Sequence, residues 1–170
     1  MKPKIVLVRG LPGSGKTEMA KRMVGYVHLE ADMYFNVNGK YIYDAAKVRD
    51  AHDWCLANAK AALEQGKNVV VANTFAKRWE LERYTSLGYP VRIIEATGTW
   101  LNVHGVPTKA IERMNERWDP LEKVLALTAR GRRPGTGYES LAARHKPKPY
   151  TDRSPSTVDT YRNYLRNQHD

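Results

Sequence analysis

Lys16 and Thr17 close the run Gly10-Leu11-Pro12-Gly13-Ser14-Gly15-Lys16-Thr17, which fills all four fixed positions of G-x-x-x-x-G-K-[ST]. The chemistry that needs these residue types is the holding of phosphate. Glycines let the backbone come close to phosphate oxygens and turn its N–H groups toward them. A helix opening at the end of the run adds a partial positive charge. Lys16 can reach the β- and γ-phosphates, and the Thr17 hydroxyl can ligate Mg²⁺. Residues 10–17 are therefore expected to bind a nucleoside triphosphate, the bland alternative being a chance glycine turn before a helix. Transfer of a phosphoryl group to an alcohol also needs an acceptor for the hydroxyl proton. Asp32 can serve as that base, or else as a turn cap. Arg113 and Arg117, at i and i+4, share a helix face; they either clamp a triphosphate or belong to a solvated surface.

The elements that must position these groups follow from the apolar patterning. Lys4–Val8 is a short continuous apolar run, as in a strand buried on both faces. A helix over Gly15–Gly25, with Met19, Ala20, Met23 and Val24 on its apolar side, leads to a second strand at Val27–Glu30. Asp32 then lies at the carboxyl edge of the sheet, where open α/β sheets bind ligands. Asn38-Gly39 marks a turn within an aromatic stretch. Asp44 can cap a helix from Ala45 to about Gln65, ended by Gly66. A third strand (Val69–Ala72), a helix (Lys77–Leu87), a fourth strand (Val91–Ala96) and a helix from Lys109 to about Trp118 complete the alternation. This spacing predicts a parallel sheet with crossover helices, four strands in the order 2-3-1-4. Further short helices are expected at Leu121–Ala129 and Thr157–Asn167. Residues 1–118 then form the core, and residues 119–170 a basic helical and irregular extension packed on it.

At 170 residues and 42% hydrophobic composition, the chain suits one domain with a proper core. Cys55 is the only cysteine, in keeping with a reducing cytoplasm. No N-terminal apolar segment has the length of a signal peptide or membrane span, so no membrane partner is expected. The charge balance, 28 Lys and Arg against 18 Asp and Glu, favours polyanionic partners. Part of that surplus sits between Arg130 and Arg153, where seven basic residues include Arg130, Arg132 and Arg133. Near Asp32, the aromatic residues Tyr34, Phe35, Tyr41 and Tyr43 suit either core packing or an unstacked base. His52, beside Trp54, fits a structural or substrate-lining role better than a catalytic one.

Residues 4–118 resemble the polynucleotide-kinase branch of P-loop kinases: bacteriophage 5′-kinase domains, NEDD4-binding-protein-2-like kinases and the small phage kinases of 5-hydroxymethyluracil in DNA. The resemblance is carried by Arg9–Thr17, Ala31-Asp32-Met33-Tyr34-Phe35, Ala51–Cys55, Val71-Ala72-Asn73-Thr74, Trp79-Glu80 and His104-Gly105-Val106-Pro107. It implies a three-layer α/β/α P-loop NTPase fold of the kinase type, ATP (or another NTP) and Mg²⁺ as cofactors, and a DNA hydroxyl as acceptor. It makes Asp32 the general base and, with Thr17, a candidate metal ligand. Asn73, Tyr34, Phe35 and His52 fall on the substrate side; Arg130, Arg132 and Arg133 lie outside the resemblance and are expected on the DNA backbone from their charge.

The chain departs from this family pattern in three places. Met33 replaces a second acid. Phe35 stands where the 5′-kinases carry a phosphate-binding arginine. Ala72 replaces the acid of Asp-Asn-Thr-Asn after the third strand, so no Walker-B-type carboxylate is present there. The short segment before His104 also leaves the lid arginine to be supplied from elsewhere. The favoured acceptor is the hydroxymethyl group of 5-hydroxymethyluracil, with a polynucleotide 5′-hydroxyl second. A nucleoside or other small-molecule kinase and a non-catalytic nucleotide-dependent binding module remain as alternatives.

Overall fold

The computed structural model describes residues 1–99 and 105–128. His104, the basic residues from Arg130 to Arg153 and the helix expected at Thr157–Asn167 lie outside the described residues.

Four parallel strands form the central sheet: β1 (Ile5–Arg9), β2 (Tyr26–Leu29), β5 (Asn68–Asn73) and β6 (Val91–Glu95), in the order β2-β5-β1-β6. This is the predicted 2-3-1-4 arrangement. A separate hairpin, β3 (Asn36–Val37) and β4 (Lys40–Tyr41), lies between β2 and the long helix. Its turn residues Asn38 and Gly39 both have positive φ, 51° and 77°, as a two-residue hairpin turn of this type requires.

Alternation along the strands splits the core into two layers of contact. Ile5, Leu7, Val69, Val71 and Ile93 face helices α2 (Val48–Glu64), α3 (Arg78–Thr85) and α5 (Leu121–Leu125), meeting Cys55, Leu63, Leu81 and Val124. Val6, Val8, Val70, Ala72 and Ile94 face α1 (Lys16–Lys21), meeting Met19, Ala20 and Met23. The result is the expected three-layer α/β/α stack. The remaining helix, α4 (Thr108–Glu116), has no buried residue.

Local chemistry explains where elements begin and end. α2 closes in a Schellman arrangement: Lys67 N–H donates to Ala62 O at 3.0 Å and Gly66 N–H to Leu63 O at 2.9 Å, with Gly66 at φ 78°. Asp44 caps as predicted, accepting from Ala46 N–H at 2.9 Å, but the first turn it caps is a 3-10 turn, Ala45–Lys47. α1 is shorter than the Gly15–Gly25 expectation. It stops at Lys21 and Val24 is 94% exposed, because the chain turns through Gly25 (φ 81°) to enter β2.

Arg9, the last residue of β1, is fully buried. Its Nε donates to Phe75 O at 3.1 Å and its Nη2 to Asp119 O at 2.9 Å. Its Nη1 lies 3.2 Å from Glu95 Oε2, an ion pair aligned too poorly for a hydrogen bond, and the guanidinium stacks 4.1 Å from the Trp118 ring centroid. Burial lowers the pKa of this guanidinium, while Glu95, Asp119 and Glu80 raise it. Arg9→Met should destabilise the fold by roughly 3–5 kcal/mol, because a largely buried Glu95 and two carbonyls lose their partner. Urea unfolding of the two proteins measures it, and Arg9→Lys should recover little, lacking the planar fork.

Asp119 is the second tie. Its carboxylate accepts from Arg78 N–H at 2.7 Å and from Lys123 Nζ at 3.0 Å, with Lys77 Nζ at 3.7 Å. These bonds, that from Arg78 foremost, pull its pKa down to about 2 from 3.8. A carboxyl depressed on folding adds stability that is complete above the unfolded value and disappears as pH falls through the folded one. Between about pH 4 and pH 2 the wild type should therefore lose a contribution that Asp119→Asn lacks at every pH. Urea midpoints across that range would show the two proteins converging.

Candidate active site

The carboxyl ends of β1, β2, β5 and β6 meet at one edge, and the phosphate loop rises from β1 among them. Gly10 N–H donates to Thr74 O beyond β5 (3.3 Å), Ala96 N–H beyond β6 to Arg9 O (2.8 Å), and Gly98 N–H to Ser14 O (3.1 Å). The loop is thus sewn to both neighbouring strands. Within it, Ser14 N–H turns back to Leu11 O at 3.0 Å, and Gly13 and Gly15 take φ of 81° and 86°, values that an L side chain disfavours. Gly10 is required for space: a Cβ there would lie 2.1 Å from Ser14 Oγ. Leu11 and Pro12 form the partly exposed crest of the loop.

Lys16 and Thr17 open α1. Lys16 Nζ is 3.5 Å from Leu11 O, a long contact that leaves the ammonium available for phosphate. Burial lowers its pKa, and the carboxylates of Glu30 and Asp32 raise it.

Asp32 lies just past β2 in a 3-10 turn, Ala31–Phe35, and is partly exposed. Tyr41 Oη donates to its Oδ1 at 3.4 Å. The turn is held in place by Asn73, whose Oδ1 accepts from Ala31 N–H at 2.9 Å and whose Nδ2 lies 3.8 Å from Cys55 Sγ. Asn73 is buried. Its side chain fixes the peptide next to Asp32, so it is a positioning residue here rather than the expected substrate contact.

Glu30, the residue before that turn, is a functional candidate that sequence reasoning missed. Only 7% of it is exposed. His28 Nε2 lies 2.8 Å from its Oε1, and the Thr17 hydroxyl donates to its carboxylate. Burial works against its ionisation, yet the bonds from His28 and Thr17 and the charges of His28 and Lys16 prevail and hold its pKa below the usual carboxylate range. A carboxylate and a hydroxyl beside the loop form a hard oxygen donor set, suited to a Mg²⁺ that keeps most of its ligands as phosphate oxygens and water. Among the described residues no three His, Cys, Asp or Glu side chains form a metal cluster of their own.

The family described as AAA domain matches residues 5–99, the span that holds the loop, Glu30, Asp32 and the six strands of the described residues. The chain belongs to that family.

Other likenesses run beyond the AAA domain match. Human NEDD4-binding protein 2 is 34% identical over 138 residues, which cover 71% of this chain and 8% of that protein; the chain therefore spans under a tenth of that relative. The Pnkp1/Rnl/Hen1 complex contains a chain that is 18% identical, aligned over 65% of this chain and 38% of its own length, with a TM-score of 0.45. The Mycobacterium tuberculosis APS kinase CysC is 16% identical, aligned over 99% of both chains, also at 0.45.

Around the AAA domain's nucleotide edge, the remaining expected residues divide by environment. Phe35 is 4% exposed, its ring edge-on to Tyr34 and Tyr41 and tilted against Tyr43. The 3-10 turn directs it into the core, so it offers no face to a base. Tyr34 is partly exposed and packs edge-on against Trp54. Met33, Val37, Ile42 and Tyr43 instead form the exposed apolar residues around Asp32 and the hairpin. His52, on α2, has its pKa lowered by burial, with Glu80 acting against that, and is therefore neutral near pH 7. Arg113 is exposed on α4 and Arg117 is exposed just after its end. Trp79 is 58% exposed. Among the described residues no helix is long and apolar enough to cross a membrane.

Proposed function

We propose that this AAA domain is an ATP- and Mg²⁺-dependent kinase that transfers the γ-phosphate to a hydroxyl of DNA. One observation carries the reading: Asp32, just past β2, and the phosphate-loop lysine Lys16 stand at a single sheet edge, the carboxylate near enough to raise the pKa of the ammonium. Such an edge holds the two groups that phosphoryl transfer to an alcohol requires, a cation for the moving phosphoryl group and a carboxylate for the departing proton. When bound, Mg²⁺ would neutralise the charge that develops on the transferring phosphoryl group. Thr17 would hold it, together with a carboxylate at this edge. Arg113 and Arg117 are the candidates to close over the triphosphate.

The acceptor we favour is the hydroxymethyl group of 5-hydroxymethyluracil within DNA. Two features support an internal base over a 5′ end. Phe35, where an arginine would bind the terminal phosphate, is apolar and buried. The exposed Met33, Val37, Ile42 and Tyr43 beside Asp32 suit the flat face of an extruded base. The net charge of +10 favours a polyanion as the larger substrate, with Arg130, Arg132 and Arg133 as its backbone contacts.

Incubation with γ-labelled ATP and three acceptors decides the matter: hydroxymethyluracil duplex, a 5′-hydroxyl oligonucleotide and free nucleosides. Label on the modified base is the expected result. Label on 5′ ends or on nucleosides would reassign the acceptor, and no label on any of them, with ATP bound, would leave a binding module.

A further inference from the structure

At the carboxyl end of β5, the strand next to β1, stands Ala72, so that position supplies no carboxylate. The register of the sheet shows where a replacement can come from. β2 pairs with β5 in parallel, Val27 with Val69, His28 with Val70 and Leu29 with Val71. The next step sets Glu30 beside Ala72. In a parallel pair, residues in register point to the same face. Ala72 packs on the α1 face with Ala20, and Tyr26, four residues before Glu30 on β2, packs there as well. Glu30 therefore emerges on the side of the sheet where α1 presents Thr17.

We infer that Glu30 is the metal-side carboxylate of this nucleotide site, its role moved by one strand from β5 to β2. The inference rests on the nucleotide-binding reading above and adds the residue that completes it. Adjacent strands lie about 4.8 Å apart, so the displaced acid must reach further toward Thr17. Glutamate reaches one methylene further than an aspartate would. Thr17 then has an acceptor for its hydroxyl proton, which keeps its oxygen lone pairs directed at the metal. His28, 2.8 Å from Oε1, holds the carboxylate against rotation, as the outer partners of metal-binding carboxylates do. Asp32, on the exposed side of the turn, is left to the acceptor hydroxyl. The two acids at positions 30 and 32 thus divide the work between metal and proton.

The test reads metal binding rather than turnover. The full chain is loaded with the β,γ-imido analogue of ATP, and Mn²⁺ affinity is measured by electron paramagnetic resonance; analogue affinity is measured separately in EDTA. Glu30→Gln should weaken Mn²⁺ binding about 10–100-fold and leave metal-free analogue binding unchanged. Adding Ala72→Asp to Glu30→Gln should restore Mn²⁺ affinity by returning the acid to β5. Glu30→Asp serves where Glu30→Gln does not fold: with its charge kept but its reach shortened, it should lose Mn²⁺ in the same way. Wild-type Mn²⁺ affinity in a Glu30 variant would overturn the inference. So would an equal loss with and without metal, which marks a purely structural residue. Failure of the wild type to bind the analogue at all would instead sink the nucleotide-binding reading beneath it.

Discussion

Asp32→Asn is expected to leave nucleotide affinity intact and to lower turnover about 10²–10⁴-fold, the usual worth of a positioned general base. The substitution is nearly isosteric, and the amide oxygen can still accept from Tyr41 Oη, 3.4 Å from Oδ1 in the native site. The Ala31–Phe35 turn is held by Asn73 through Ala31 N–H rather than by the Asp32 side chain, so the turn should persist. What is removed is the carboxylate that takes the acceptor's proton. Single-turnover transfer from labelled ATP, set beside binding of the non-hydrolysable analogue, separates the two effects. A collapse of affinity with the saturated rate preserved would make Asp32 a metal or structural residue instead.

Lys16→Ala should cost at least about 10²–10³-fold in turnover, since it deletes a preorganised cation aimed at the charge that develops on the transferring group. Stability should barely change. The hydrogen bond of the Lys16 side chain is the long contact to Leu11 O, and burial works against its charge while Glu30 and Asp32 favour it. Thermal melts alongside transfer assays with each acceptor test both halves. Near-wild-type turnover on any acceptor would end the kinase proposal.

Patterns confined to a few neighbouring residues were readable from the sequence. The phosphate loop, the Asn38-Gly39 turn and the Gly66 helix end each draw on backbone requirements that a short stretch reveals. The strand order followed from the alternation of apolar runs and helices. Side-chain direction at irregular segments was not readable. Phe35 and Asp32 are three residues apart in one 3-10 turn, and only the turn's orientation sends the ring inward. Asn73 looked like a strand-end polar group open to substrate, because its partner Ala31 is 42 residues away. Arg9 needed Asp119, 110 residues on. Glu30 was within reach: with β2 beside β5 already inferred, counting register from the strand ends would have set it next to Ala72.

Phe75 joins two parts of the molecule that no short-range contact connects. Its φ of 49° is unusual for an aromatic residue and suits the asparagine found at this position in the resembling family. Backbone of this kind persists only where the surroundings impose it. Here the imposing force is the grip on the ring, buried to 1% and set edge-on to Tyr84 of α3 at 5.6 Å. The carbonyl so oriented is the acceptor for Arg9 Nε, one residue before the phosphate loop. Loosening α3 would let Phe75 relax to ordinary backbone and take that carbonyl from Arg9. The nucleotide edge and the helix on the opposite side of the sheet therefore melt together, as one cooperative unit, and a substitution at Tyr84 should be felt as lost rigidity in a loop it never touches.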